Sequence, residues 1–521
     1  MTWLLAALPI LTLLVLMISF RWSAAKAGTI GLGAALLTAS LHFGTGPSAL
    51  LIAIGRGLLL GLKVLYIVWP ALLLYQVARA PGAIQNLGWI VASLTRNHIL
   101  QLLILAFGFT TFLQGVAGFG VPVAVVTPLL VGMGYPPIQA AAAALAGHAW
   151  SVSMGDMASS FQALRAVTGL PGHALGLWIA TFLGGAGILT AFSVAHSHAG
   201  FSGIWRWPGP PLILGAVTIG VQWMLAYFDL WIMASFGGGM AGLAVGLWLS
   251  RLPRYRGPSR PATLGPKPDE ERVRSVPLPP EAERMGFALA FAPYFALVGV
   301  VLLPTLVPAV HQALDALRLN VSLPGTESAY GWKTPASTWS LSLLGHPGAL
   351  LLYAAAIGYV VFRTRGRWPA GAAPWRDTIR EAGPATVGIV TMVCTATVMT
   401  ASGMTMVLAR VLFLAAGKSY PFFSPFVGLL GCVITGSNTN SNILFGALQT
   451  DIAGLLGASP VILGAAQSAG GALGSMVAPA KVLLACATAG LAGREGRVIG
   501  RTLGYCVLMT SLVGLAAWWV S

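Results

Sequence analysis

The chain has 521 residues, 56% of them apolar and only 8% charged, with 65 glycines, whereas a soluble protein carries about 25% charged residues. That balance excludes a water-soluble multidomain enzyme. The length holds about a dozen apolar runs of the ~20 residues that cross a bilayer, so the expected fold class is an all-α polytopic membrane protein.

The formal net charge of +16 arises from 29 Lys and Arg against 13 Asp and Glu. In a soluble domain it would suggest nucleic acid; here the positive-inside rule accounts for it, and no nucleic-acid partner is expected. Eight basic residues lie between Arg251 and Arg284 and five between Arg363 and Arg380, so both stretches are expected in the cytoplasm. The loop from His311 to Gly348 holds only Arg318 and Lys333 and is expected outside. The four cysteines, Cys394, Cys432, Cys486 and Cys506, lie in apolar runs without CxxC spacing, which suggests neither a disulfide frame nor a metal site. No basic n-region precedes residues 3–20, which read as a retained first helix with its N-terminus outside.

In chain order, spans are expected near 3–20, 28–44 and 47–78, followed by an inner loop from Arg79 to Arg96. Two runs, 99–113 and 119–133, are each too short to cross comfortably and are joined by Gln114-Gly115-Val116-Ala117-Gly118-Phe119-Gly120. They read as a helical hairpin dipping in from the inside. Spans near 137–160, 174–195, 210–227 and 230–250 return the chain to the cytoplasm at Arg251. Runs near 285–310, 349–362 and 384–405 lead to a surface helix over 406–420. A second short pair, 423–436 and 443–456, breaks at Ser437 to Asn442 and by parity enters from outside. Last come spans over 460–490 and 503–520, separated by Arg494, Arg497 and Arg501. The expected organisation is N-terminal helices over 1–98, a first repeat over 99–250 with hairpin 99–133, a basic loop over 251–284, and a second repeat over 285–521 with hairpin 423–456.

The hairpins read as copies. Pro137 and Pro460, Gly134 and Gly457, Thr127 and Thr450, Ala142 and Ala465, and Gly147 and Gly470 all match at one constant offset without a gap. Opposed repeats with interrupted helices at corresponding places point to a secondary transporter with a site near the bilayer midplane.

Non-helical backbone at membrane depth is tolerated only where protein or a wet cavity satisfies it. The second tip, Thr435-Gly436-Ser437-Asn438-Thr439-Asn440-Ser441-Asn442, sets seven polar side chains around one glycine. Neutral donors beside a restarting helix N-terminus, placed at Ile443, suit a small carboxylate; the other reading is a polar seam between helices. The first tip offers Gly115, Gly118 and Gly120 for close approach and Gln114 as donor and acceptor, or serves close helix packing alone.

Intramembrane ionisable groups are functional candidates. Asp156 and Glu381 are the carboxylates not assigned to loops or boundaries. Asp156 is two helical turns from His148, so both are expected on one face where they could carry a proton, unless Asp156 is solvated at the end of its span. Lys481 could neutralise an anion or replace a coupling cation, or snorkel to an interface. Arg56, Lys63, Arg165 and Arg410 mark interfaces. No HExxH is present, and Gly417-Lys418-Ser419 fails as a P-loop because Leu412 stands where its first glycine would be. No catalytic residue, metal or cofactor is expected.

Phe112 to Leu130 (FLQGVAGFGVPVAVVTPLL) and Phe422 to Gly493 (with FFSPFVGLLG, TGSNTNSN, LFGALQ and CATAGLAG) resemble the L-lactate permease family. The likeness covers most of the chain and is weaker in the loops and between 160 and 420. It implies a bacterial inner-membrane carrier that takes up lactate or glycolate with protons, built from inverted repeats and moving like an elevator. Gln114 replaces the family's usual Glu and Asn438 its usual Asp. The family's lysine in GKMISPQ falls at Ser475, while a lysine stands at Lys481, and the usual Asn-Thr pair reads Gly147-His148. Two acids are thereby lost and one base moved, which leaves the proton route open.

The expected function is thus import of a small monocarboxylate. The expected contacts are Gln114, Gly115, Gly118, Gly120, Ser437, Asn438, Thr439, Asn440, Asn442 and Ser475, with His148, Asp156 and Lys481 handling charge. A sodium-coupled or uncoupled carrier, a channel and a membrane-embedded enzyme subunit are the competing readings. Oligomeric state is left open.

Overall fold

The computed structural model describes residues 2–20, 22–92, 95, 97–118, 120–255, 285–491 and 493–521. Most of the expected basic loop, 256–284, and Phe119 in the first tip lie outside them. Among the described residues, 11 helices are long and apolar enough to cross a membrane, or 12 if one bent pair is counted as a span. The exterior is apolar, as a lipid-facing surface is: Leu51 is 70% exposed, Leu414 80% and Trp519 85%.

Thr2–Ile18, Ala24–His42 and a 33-residue helix, Pro47–Arg79, open the fold. The loop expected after Arg79 contains a further helix, Ala83–Ala92. The first hairpin pairs His98–Val116 with Val121–Gly132. Its first arm is longer than the expected short run and passes through a π-helical segment, Ile104–Phe109. The span expected over 137–160 is interrupted, with Pro137–Ala149 and Ser159–Thr168 flanking an irregular stretch. Gly172–Arg206, kinked at Gly200, then Gly209–Tyr227 and Trp231–Arg251 complete this half.

Beyond the basic loop, the span expected over 285–310 is corrected. Ala292–Leu306 meets Pro308–Asp315 at 99°, because Val307 is extended and Pro308, lacking an N–H, starts the next helix instead of continuing the first. The expected outer loop contains paired strands. Arg318–Leu323 pairs antiparallel with Ser337–Ser342, and Thr326–Glu327 with Lys333–Thr334, forming a β-flap. Pro347–Thr364 follows. Pro374–Ser402 begins ten residues before the expected start at 384, absorbing part of the basic stretch. Met404–Ala416, read from sequence as a surface helix, packs against Thr2–Ile18 and the second hairpin.

The second hairpin is Tyr420–Thr435 and Asn438–Leu456. Its break is only Gly436 and Ser437, so the restart lies at Asn438 and not at Ile443. Gly436 has φ +70°, a left-handed conformation that glycine adopts without Cβ strain. Ser437 caps the new helix by accepting from Asn440 N at 3.4 Å. The next span is again interrupted, as Pro460–Gly474 and Pro479–Thr488, before Glu495–Val520.

Each interrupted span packs onto the first arm of its hairpin through a glycine. A Cβ on Gly147 would sit 1.4 Å from Ala106 O, and one on Gly470 would sit 1.8 Å from Pro425 O. These are two of the positions matched at constant offset in the sequence, and each makes the same kind of close contact with a backbone carbonyl.

Candidate functional site

Four interruptions in the helices converge. A cavity of about 250 Å³ is lined by Gln114 and Gly118 from the first hairpin, Ser437 to Asn440 from the second, Asp156, Ser159 and Ser160 from the first interrupted span, and Ala480 and Lys481 from the second. Its apolar wall comes from Val68, Ala385 and Ile389 on the long helices. The size suits a small metabolite, since drug-sized ligands occupy pockets of roughly 300–1,000 Å³.

Three helices begin in this wall, at Ser159, Asn438 and Pro479, and a fourth begins at Val121, just past Gly118. The first N–H groups of a helix have no partner within it, and each N-terminus carries the equivalent of about half a positive charge. Lys481 adds one full positive charge and Asp156 one negative. The sum favours a single small anion.

Asp156 is held in a strained turn. Asp156, Met157 and Ala158 have φ of 49°, 53° and 60°, a left-handed run that costs about 1–2 kcal/mol per residue. The first hairpin offsets this cost. Asp156 N donates to Gln114 O at 2.5 Å and Met157 N to Gly115 O at 3.2 Å. The carboxylate in turn accepts from Gly118 N at 3.3 Å and Ser159 Oγ at 3.0 Å. Gly118 lets the tip approach closely, since a Cβ there would lie 3.0 Å from the Asp156 carboxyl carbon. The first tip and the turn are therefore one unit.

The second tip is bound to both interrupted spans. Asn438 Nδ2 donates to Ser153 Oγ at 3.0 Å, and Ser153 Oγ donates to Ser468 O at 2.9 Å. Asn442 Nδ2 reaches Ser160 O at 3.0 Å and Ser468 Oγ at 2.9 Å, while the Ser160 and Thr439 hydroxyls meet at 2.9 Å. Asn438 presses on Gly471, where a Cβ would be 2.1 Å from its Oδ1. Gln114 Oε1 and Asn440 Oδ1 are buried without a protein partner. Buried polar atoms are nearly always satisfied, and Asn438 Oδ1, on a third lining residue, is likewise without a protein partner.

Of the residues singled out in the sequence, Gln114, Gly118, Ser437, Asn438, Thr439, Asn440, Asp156 and Lys481 line the cavity. Five lie behind it. Gly115 packs on Phe236, and Gly120, at φ +86°, faces Leu484. Asn442 serves the serine network. Ser475 Oγ and His148 Nε2 are 3.5 Å apart, and both residues are fully buried. The expected shared helical face of His148 and Asp156 is corrected: the helix ends at Ala149 and Asp156 sits in the left-handed turn. His148 instead approaches Lys481, with Nε2 3.4 Å from Nζ. Glu381 lies 3.6 Å from Arg79, with both side chains about half exposed, away from the cavity.

Ser153, Ser160 and Ser468 were not singled out. Single serines in apolar helices carry no distinctive spacing, and the contacts of Ser153 with Ser468 and Asn438 and of Ser160 with Thr439 span 279 to 315 residues. The local signal that could have marked this irregular segment is the run Ser151-Val152-Ser153-Met154-Gly155, read from sequence as part of a span.

The chain is 29% identical to the L-lactate permease of Bacillus subtilis, covering 97% of this chain and 94% of that one. It is 28% identical to the glycolate permease GlcA of Escherichia coli (98% and 94%) and 28% identical to that organism's L-lactate permease (98% and 94%). Among solved structures, the YdaH transporter of Alcanivorax borkumensis aligns at 16% identity and a TM-score of 0.43, covering 87% of this chain and 84% of that one. The relatives are permeases and not enzymes. With the L-lactate permease family model matching residues 2–520, the chain belongs to the L-lactate permease family, as a multi-pass membrane protein.

Proposed function

We propose that the protein imports a small 2-hydroxy monocarboxylate, of the lactate or glycolate type, across the bacterial inner membrane together with a proton. The observation that carries this reading is the convergence of both hairpin tips, both interrupted spans and Lys481 on one small cavity. The substrate carboxylate takes Lys481 and the helix N-termini, and its hydroxyl donates to Gln114 Oε1 or Asn440 Oδ1. Among the described residues Asp156 is the only carboxylate lining the cavity, and it is our candidate for the coupling proton.

In this reading the hairpins are re-entrant and enter from opposite faces as an inverted repeat, in support of which stand the constant sequence offset and the paired glycine contacts. Alternating access is then an elevator-like movement of the hairpin-bearing units against the remaining helices.

Sodium coupling is a second reading, favoured by the amide oxygens of Gln114 and Asn440, which are hard ligands without partners. Purified protein in proteoliposomes separates the two. The proton reading expects lactate or glycolate to accumulate under an inward proton gradient and to alkalinise the medium without sodium. Accumulation only with sodium selects the second reading. Failure to move any two- to four-carbon acid rejects both.

A further inference from the structure

A second and larger cavity, of about 570 Å³, lies beneath the β-flap and is lined by Arg56, Lys63 and Arg165, with no carboxylate among its described lining residues. The sequence marks these three cations only as interface residues, yet here they share one wall with Ser340 of the flap and Thr397 of a long helix. Two of them also hold the flap. Arg56 Nη2 donates to Pro324 O at 2.7 Å and Pro335 O at 2.8 Å, and Lys63 Nζ to Ser340 O at 3.4 Å. Arg165 stands 5.3 Å from the Trp231 ring, a contact that leaves its N–H groups available.

Four helices run from this chamber to the substrate cavity. On Pro47–Arg79, Lys63 lines the chamber and Val68 the cavity; on Ser159–Thr168, Arg165 and Ser160; on Pro374–Ser402, Ala396 and Ile389; on Asn438–Leu456, Ala447 and Asn440. Between those levels lie Val64, Ala163, Met392, Val393, Ile443 and Leu444, all buried and all in one apolar cluster. Asn440 and Ala447 are seven positions apart, about 10 Å along their helix, whereas Lys63 and Val68 are five apart and Ser160 and Gln162 only two. A charged solute does not cross such an apolar layer unaided.

We propose that the flap-covered chamber is a first, low-affinity anion site, in which Lys63 and Arg165 collect the substrate carboxylate before the apolar seal opens. Clustered charge of one sign in a cleft with low-dielectric walls raises the local concentration of counter-charged solute by 10-fold or more. The site rests on the carboxylate reading above. It gives the chamber side a capture step that the substrate cavity alone does not provide.

Initial uptake of L-lactate into proteoliposomes tests this, with orientation read from impermeant-maleimide labelling of Tyr330→Cys in the exposed flap; the four native cysteines are buried. For substrate presented on the flap side, the Lys63→Gln/Arg165→Gln double variant is expected to raise KM roughly ten-fold at low ionic strength, with Vmax within about two-fold of wild type. The difference should shrink in about 1 M salt, where the Debye length falls to about 3 Å, and Arg165→Lys should largely restore KM. For substrate presented on the opposite face, KM should not change. An unchanged KM, an equal rise from both faces, or a fall in Vmax alone would overturn the proposal. A wild-type protein that moves no carboxylate would instead reject the function on which it rests.

Discussion

His148 holds Lys481 through an unprotonated ring nitrogen. Nδ1 lies 3.2 Å from Ala144 O, a carbonyl that can only accept, so the ring proton resides on Nδ1. Nε2, 3.4 Å from Lys481 Nζ, then accepts from the ammonium group. The pair joins two interrupted spans through residues 333 positions apart and keeps Lys481, the one cation among the described lining residues of the substrate cavity, directed by a neutral partner, so its charge is not cancelled.

Replacing that acceptor should disorient Lys481. His148→Ala is expected to lower the maximal uptake rate about ten-fold or more, a loss of ~1.4 kcal/mol or greater, while His148→Gln, which keeps an acceptor, should recover part of it. Uptake rates of equally inserted variants check this.

Asp156→Asn keeps one oxygen to accept from Gly118 N and turns an amide N–H toward Ser159 Oγ, which can accept it, while removing the titratable group. Proton-driven accumulation of substrate should be lost while substrate counterflow at equal pH persists. Loss of both would mean that Asp156 supports only the fold of its turn.

Asn438 joins the second tip to Ser153 and lies in the cavity wall. Asn438→Ala should abolish uptake while leaving membrane insertion intact, because it leaves a buried hydroxyl partner without its donor, a penalty of about 1–3 kcal/mol. Unchanged uptake in proteoliposomes would reject the role of Asn438.

Gly147→Ala and Gly470→Ala each push a methyl group into a backbone carbonyl. Overpacking of this kind costs about 1–3 kcal/mol, and backbone atoms give way less readily than side chains. Both variants should lower the melting temperature in detergent by comparable amounts. A large effect at only one of the two would argue against equivalent packing in the two halves.

Much of the architecture was legible locally. Apolar runs marked the long spans, because burying backbone polar groups in lipid forces helix and sets its length. The glycines around Gln114 and the polar run from Thr435 to Asn442 marked both tips, because few other patterns interrupt an apolar helix. Local pattern misplaced the second restart, because Asn438 to Asn442 read as a break whereas Ser437 caps them into helix. The 99° bend after Leu306 and the strands of the flap were also missed. The former depends on one extended residue ahead of a proline, and the latter on pairing between segments too short to carry a clear alternation.

What the sequence determined by itself is the class of protein, the two hairpin tips and most of the polar residues at them, since these follow from periodicity and composition over a few turns. Only the tertiary structure decided which breaks meet. The contacts of Ser153 with Asn438, of Ser160 with Thr439 and of His148 with Lys481 span 279 to 333 residues. No local pattern encodes such pairings, because the free energy that selects them comes from packing whole helices together, and only then do the polar groups at their broken ends find one another.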